Sequence, residues 1–273
     1  MKYLARTLEG RPLLGSEDGF VPLSAADPDL TTAIEALSRA ADGGLPDVAD
    51  APAEPVDRES IQFGPPLAEF GKLWGIGLNY AEHAGDLDEA RPDAPASFFK
   101  PTSATTGPGG PIRLPPVERT DRVTAEAELA VVIGRTCRDL DDGAVDDVIA
   151  GYLPVLDMTA EDVLQRNPRF LTRAKSFDSF LVVGSAIAVP ETPLSLEELS
   201  VKTVVNERVV AENRIGNMLF PPRELVAFHS NVATLEPGDV FSTGTPGAEP
   251  IEPGDHARAA VETIGSVEAP VVR

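Results

Sequence analysis

The stretch Glu126-Ala127-Glu128-Leu129-Ala130-Val131-Val132-Ile133-Gly134 constrains the fold more than any other part of the chain. Five apolar residues in a row, closed by a glycine, read as a strand that is stable only out of water. Two carboxylates open that strand at positions i and i+2. Side chains two apart in a strand share a face and lie roughly 6–7 Å apart at ~3.3 Å rise per residue. Uncompensated, the two acids repel each other as the strand enters the core. A hard divalent cation between them removes the repulsion and takes both as oxygen ligands. The other reading is a pair of solvated acids at a strand entrance, and the pair alone does not separate the two.

Other residues bear on that choice. Asp157 ends the apolar segment Gly151-Tyr152-Leu153-Pro154-Val155-Leu156, where a charge abruptly follows a strand. It reads either as an acid at a helix entry or as a third oxygen ligand. Thr159-Ala160-Glu161-Asp162 is expected to open a short helix with Thr159 as its cap, bounded by Pro168. That leaves Asp157 free, and three carboxylates completed by water suit Mg²⁺ or Mn²⁺. Lys175 precedes the apolar run Leu181-Val182-Val183; a lysine in an arginine-dominated chain suggests that a compact point charge is wanted. His83 follows the glycine-containing segment Leu73-Trp74-Gly75-Ile76-Gly77-Leu78, and a lone histidine is either structural or catalytic. Gly75-x-Gly77 lacks the third glycine and following helix of a dinucleotide fingerprint. Cys137 has no His partner in sequence and is read as inert, and a single cysteine excludes an internal disulfide and a thiolate metal site.

The 273 residues carry 44 acids against 23 Lys and Arg, a formal net charge of −21. Such a surface repels nucleic acid and anionic membranes. The acids are dispersed rather than gathered in a tail, as in proteins adapted to high salt, although a GC-rich genome gives a similar balance. No segment approaches the ~20 apolar residues that span a bilayer, and residues 1–11 carry no long apolar run, so a soluble, cytoplasmic protein is expected. With aromatics at 5%, the core must be filled by Val, Leu, Ile and Ala.

Residues 1–65 read as a small α+β domain and linker. Strands are expected at Tyr3-Leu4-Ala5-Arg6 and Gly19-Phe20-Val21-Pro22-Leu23, with a helix over residues 29–39. Residues 43–56, rich in Pro, Ala, Asp and Glu, are expected to bury little. Residues 66–273 read as a mainly β domain with few helices. A hairpin is expected to turn at Asn206, and Glu236-Pro237-Gly238-Asp239 and Glu252-Pro253-Gly254-Asp255 are read as two independent turns, each feeding a strand.

Over residues 72–271 the chain resembles the fumarylacetoacetate hydrolase family. The pieces that carry the resemblance are Gly77-Leu78-Asn79-Tyr80-x-x-His83, Phe98-Phe99-Lys100-Pro101, Glu126-x-Glu128-Leu129-Ala130-Val131-Val132-Ile133-Gly134, Asp157-Met158-Thr159-Ala160, Lys175-Ser176-Phe177-Asp178, Leu235-x-Pro237-Gly238-Asp239-Val240 and Thr243-Gly244-Thr245-Pro246. Each is weak alone; seven in order are specific. The resemblance implies a mixed β-sandwich or roll with some α-structure, a small N-terminal domain and a homodimer. It implies Mg²⁺ (or Mn²⁺) held by Glu126, Glu128 and Asp157, with Lys175 on the oxygens of a small 2-oxo acid. It also implies substrate contacts from Tyr80, Lys100, Phe177, Gly244 and Thr245, and a general base His83 oriented by Asp86, where hydrolytic members often carry Glu. Glu161 stands where many members place Arg, which argues against a second substrate carboxylate there. The implied reaction is hydrolysis of a carbon–carbon bond in an acylpyruvate-like acid. Isomerisation, decarboxylation or sugar-acid dehydration are the alternatives, since one fold serves many reactions. A non-catalytic metal-binding relative and a purely structural β-protein are the remaining readings.

Overall fold

A computed structural model describes residues 1–80 and 92–273. At its centre lie two long antiparallel strands, Val123–Ile133 and Ile149–Ala160, paired from Val123 opposite Ala160 to Ile133 opposite Ile149. Both are buried along their whole length. That explains why residues 129–133 read as one continuous apolar run: a strand covered on both faces has no polar side to alternate with.

Among the described residues, the pair sits inside a sheet of twelve strands. Its main path runs Gly19–Pro22, Pro12–Ser16, Lys2–Arg6, Ala186–Val189, Ile149–Ala160, Val123–Ile133, Val240–Ser242, Leu73–Gly77 and Ala96–Lys100. A second sheet of five strands follows the order Arg208–Arg214, Ser200–Val205, His256–Val261, Gly265–Val272 and Ile112–Arg113. The fold is mainly β, as expected, and the two faces of the central pair divide the work. Ala125, Ala127, Leu129 and Val131 point to one side, with Leu156 and Met158 from the partner strand, and pack on Val201, Ala257, Ala259 and Ala269 of the second sheet. Ala130, Val132, Leu153 and Val155 point to the other side, onto Leu4, Leu14, Val21 and Leu37. On that second face the apolar cover stops at Ala130. The residues further along the same face are Glu128, Glu126 and Thr124, with Asp157 and Thr159 across the ladder.

The first 65 residues supply much of that cover. Lys2–Arg6 pairs with Ala186–Val189, from Lys2 opposite Val189 to Ala5 opposite Ala186, and so extends the large sheet. The strand Pro12–Ser16, which sequence reasoning did not single out, continues it. The helix spans Ala33–Ala41 rather than starting at Asp29: Thr32 accepts from the Glu35 amide at 3.2 Å, and Glu35 accepts from the Thr32 amide at 2.8 Å. This capping box fixes where the helix begins. It turns Ala36, Leu37 and Ala40 inward and leaves Ile34 exposed. Residues 43–56 bury Leu45 and Val48, and Val56 pairs with Phe20, so this segment packs rather than merely links.

Local turn chemistry follows the sequence. Asn206 and Glu207 both take positive φ (49° and 63°) between Ser200–Val205 and Arg208–Arg214, the geometry of a two-residue hairpin. In the two Glu-Pro-Gly-Asp turns the same device recurs: Asp239 accepts from the Glu236 amide at 2.9 Å and Asp255 from the Glu252 amide at 2.7 Å, each around a left-handed glycine. One expectation fails. Thr159 is not a helix cap; it lies in the strand Ile149–Ala160, and the helix Glu161–Arg166 starts with no side-chain cap at Ala160. Arg166 is its last residue, two before Pro168, as expected.

Candidate metal centre

Where the apolar cover ends, the shared face of the central strands becomes a box of charges. Glu126 stands directly opposite Asp157, and Glu128 is two residues along on the same side. All three are buried, Asp157 completely, and each offers a carboxylate oxygen within 4.8 Å of the others.

Each acid is held differently. Glu128 accepts from Ser242 Oγ at 2.6 Å and from the Gly244 amide at 2.7 Å. Ser242 ends the strand Val240–Ser242, and Gly244 lies two residues beyond it. Gly244 is in the left-handed region (φ 99°), and a Cβ there would lie 2.7 Å from the Asn79 Cβ, so only glycine lets this amide reach the acid. Glu126 accepts from Thr159 Oγ1 at 2.5 Å, from Thr124 Oγ1 at 3.3 Å and from Lys175 Nζ at 2.8 Å. Asp157 lies against two ammonium groups, Lys100 at 2.6 Å and Lys175 at 3.3 Å, yet neither oxygen receives a well-directed hydrogen bond.

Charge is unevenly balanced in this box. Among the described residues, three carboxylates face two ammonium groups, so the box holds one more acid than base. Burial and the nearby Asp157 push the Glu128 carboxyl up to about 8 despite the opposing charge of Lys175. Burial alone would weaken the ammonium of Lys175, but Asp157, Glu126 and Glu128 outweigh it and raise its pKa. Lys100, fully buried, is pulled below the usual lysine range by desolvation, with Asp157 opposing. Three hard oxygen donors, one more acid than base among the described residues, and a buried carboxylate with poorly directed partners fit a divalent cation of the Mg²⁺ or Mn²⁺ type.

The box forms the floor of a cavity of about 270 Å³. Glu126, Glu128, Lys175, Thr124, Thr159 and Thr245 line its polar part. Among the residues implied by the resemblance, Glu126, Glu128, Asp157 and Lys175 come together here, and Thr245 lines the same cavity, its hydroxyl bonded to the Gly247 carbonyl at 2.9 Å. Asp157, fully buried behind the two glutamates, and Tyr80, Lys100, Phe177 and Gly244 are not part of the lining. Tyr80 is fully buried, and burial, with the charge of Glu128, raises its pKa. Phe177 packs on Phe180 with ring centroids 5.1 Å apart. Lys100 lies under the floor, bound to the Phe180 carbonyl at 2.9 Å and to that of Lys175. His83 and Asp86 lie outside the described residues. Sequence reasoning missed Ser242, Thr124 and the contact of Thr159 with Glu126; the strand period marks Thr124 and Thr159 as facing the box only once the register is known.

Residues 72–272 match the family model of the fumarylacetoacetate (FAA) hydrolase C-terminal domain. The chain belongs to the fumarylacetoacetate hydrolase family. Members of this family are metal-dependent enzymes. A mitochondrial oxaloacetate tautomerase of Xenopus laevis is 30% identical over 277 residues, covering 96% of this chain and 86% of the relative. The solved structure of a 5-carboxymethyl-2-hydroxymuconate delta-isomerase from Mycobacterium smegmatis is 31% identical, with TM-score 0.77 and coverage of 99% and 98% of the two chains. A maleylpyruvate hydrolase from Sphingobium sp. SYK-6, solved with manganese(II) and pyruvate, is 27% identical with TM-score 0.79, covering 99% and 98%. Family and fold thus agree, and the neighbours span isomerase, tautomerase and hydrolase names. No described helix is long and apolar enough to cross a membrane.

Proposed function

We propose that this protein is a Mg²⁺- or Mn²⁺-dependent hydrolase that cleaves a carbon–carbon bond in an acylpyruvate or similar 1,3-dioxo acid. The observation that carries the proposal is the convergence of Glu126, Glu128 and Asp157 within 4.8 Å, with Lys175 bonded at their edge and a cavity above them. These three acids would hold the cation, which when bound supplies Lewis acidity to the substrate's oxygens. The maleylpyruvate hydrolase of the same fold, solved with manganese and pyruvate, supports this reading.

The positions of Lys175 and Thr245 in the lining support roles for both. Lys175 brings a positive charge to the point where the 2-oxo end of the substrate becomes an oxyanion. Thr245, on the cavity wall, would donate to the substrate's acid group once its hydroxyl turns from the Gly247 carbonyl that it now bonds at 2.9 Å. His83, oriented by Asp86, is proposed as the base that takes a proton from water so that hydroxide attacks the distal carbonyl. The bond between that carbonyl carbon and the neighbouring CH₂ then breaks. Its electron pair stays with the pyruvate fragment as an enolate, which a proton converts to pyruvate, and the acyl part leaves as a carboxylic acid. A homodimer and a cytoplasmic location belong to the same proposal. The second reading is keto–enol isomerisation or decarboxylation of an oxo acid, which needs the same enolate stabilisation without water attack. The isomerase and tautomerase relatives favour it.

The test is the ultraviolet absorbance of acetylpyruvate incubated with the protein plus Mg²⁺ or Mn²⁺, and again with excess chelator. Loss of absorbance only with metal, with pyruvate and acetate as products, is the expected result. No loss in any condition would remove the hydrolase reading and leave the isomerase one.

A further inference from the structure

The cavity lining is of two kinds. Its floor holds Glu126, Glu128 and Lys175; the remainder includes the apolar side chains of Leu78, Ala96, Leu164, Pro168 and Leu171 and the amide of Gln165. Among the described lining residues, the one charged side chain outside the floor is Glu161. Its place is set by the central ladder. Glu126 is opposite Asp157 and Val123 opposite Ala160, so the ladder ends three residues beyond the acids, roughly 10 Å along the sheet at ~3.3 Å per residue. The Glu161 amide closes that end by donating to the Arg122 carbonyl at 2.9 Å.

The Glu161 side chain is fixed at both oxygens. Arg122 Nε is ion-paired to Oε2, and Gln165 Nε2 donates to Oε1 at 3.1 Å. Arg122 is half exposed and takes no part in the lining, whereas Glu161 is one-fifth exposed and belongs to it. A ligand anchored by its 2-oxo acid end at the floor shares the cavity with leucine and proline side chains and with the anionic, acceptor-only Glu161, whose two oxygens are already held by Arg122 and Gln165. A second carboxylate at that point finds a like charge in a poorly hydrated site; an alkyl group finds apolar walls.

We infer that the pocket selects 2-oxo acids whose far end is uncharged and apolar, and that Glu161 is the residue that rejects a second carboxylate. The inference rests on the reading of the floor as a metal-assisted 2-oxo acid site. It names the substrate class that this chain takes: oxo acids with an alkyl or acyl tail rather than dicarboxylic ones.

The experiment is calorimetric titration of the Mn²⁺-loaded protein with 2-oxohexanoate and with 2-oxoadipate, six-carbon acids that differ only in a terminal methyl or carboxylate. Neither is a 1,3-dioxo acid, so binding is read without turnover. The expected result is at least tenfold tighter binding of 2-oxohexanoate, and a ratio that falls at least fivefold in Glu161→Gln, an isosteric change whose fold is checked by circular dichroism. Equal binding of the two acids to the parent protein overturns the selectivity while leaving the 2-oxo acid reading intact. A ratio unchanged in Glu161→Gln overturns the role of Glu161. If neither acid binds with Mn²⁺ present, the 2-oxo acid reading itself fails and the selectivity falls with it.

Discussion

Lys100 has no donor to spare. Its ammonium group meets Asp157 Oδ1 at 2.6 Å, the Phe180 carbonyl at 2.9 Å and the Lys175 carbonyl, and its side chain is 1% exposed. A group so engaged cannot also reach a ligand above the floor without leaving three acceptors behind. We therefore place it as a positioning residue: it neutralises Asp157 from below and ties the end of the helix Leu171–Lys175 to the strand Ala96–Lys100. Lys100→Met keeps the length of the side chain and removes the ion pair with Asp157 and both carbonyl bonds. Breaking a buried pair by deleting one partner costs about 3–5 kcal/mol, because the remaining charge is left uncompensated. Urea unfolding of the metal-free variant should show a loss of that size. Unchanged stability together with weakened oxo acid binding would instead make Lys100 a substrate group, as the resemblance implies.

At the scale of elements, the strand Ile149–Ala160 explains what the sequence made legible and what it hid. The pair Glu126 and Glu128 was visible because a period of two is intrinsic to any strand, and Asp157 because a charge ends an apolar run. That Glu126 and Asp157 face each other is a matter of register, and register depends on packing partners far away in sequence. Thr159 shows the cost of local reading. A Thr three residues before an acid looks like a capping box, but tertiary pairing opposite Thr124 keeps it in the strand and turns its hydroxyl onto Glu126. The N-terminal strands carry the same lesson: nothing local marks Lys2–Arg6 as a neighbour of Ala186–Val189. The two readings of Thr159 differ in outcome. Thr159→Val is β-branched and suits the strand, yet removes a donor that orients Glu126. Losing such a supporting bond typically lowers metal affinity 10–100-fold. Titration with Mn²⁺ should show that loss, while far-ultraviolet circular dichroism stays that of the parent. A drop in helix signal with unchanged Mn²⁺ affinity would restore the cap.

Across the whole molecule, the charge that serves the box is part of a wider imbalance. The net charge is −21, and of only five lysines in the chain two, Lys100 and Lys175, are buried among the three acids. The surface cations are thus mainly arginine, set against a large excess of Asp and Glu. Several surface ion pairs form, such as Lys202 with Glu212 and Arg208 with Glu249, but exposed pairs contribute ~0–1 kcal/mol each and leave the surplus acids repelling one another. Self-repulsion of this kind destabilises the compact state, since unfolding spreads the charges apart. Salt should therefore stabilise the fold. The screening length falls from about 10 Å at 0.1 M to about 3 Å at 1 M, which removes most repulsion between exposed carboxylates while the buried acids, shielded from ions, keep their interactions. The urea midpoint is expected to rise steadily between 0.1 and 1 M, equally in NaCl and KCl, because screening depends on ionic strength rather than on the cation. The same series with Mn²⁺ separates surface from site: the metal should add a roughly constant increment at every salt concentration if its binding energy comes from the buried acids. A midpoint that is flat in salt would mean that the dispersed acids are already balanced, and that the acidic composition has no bearing on stability.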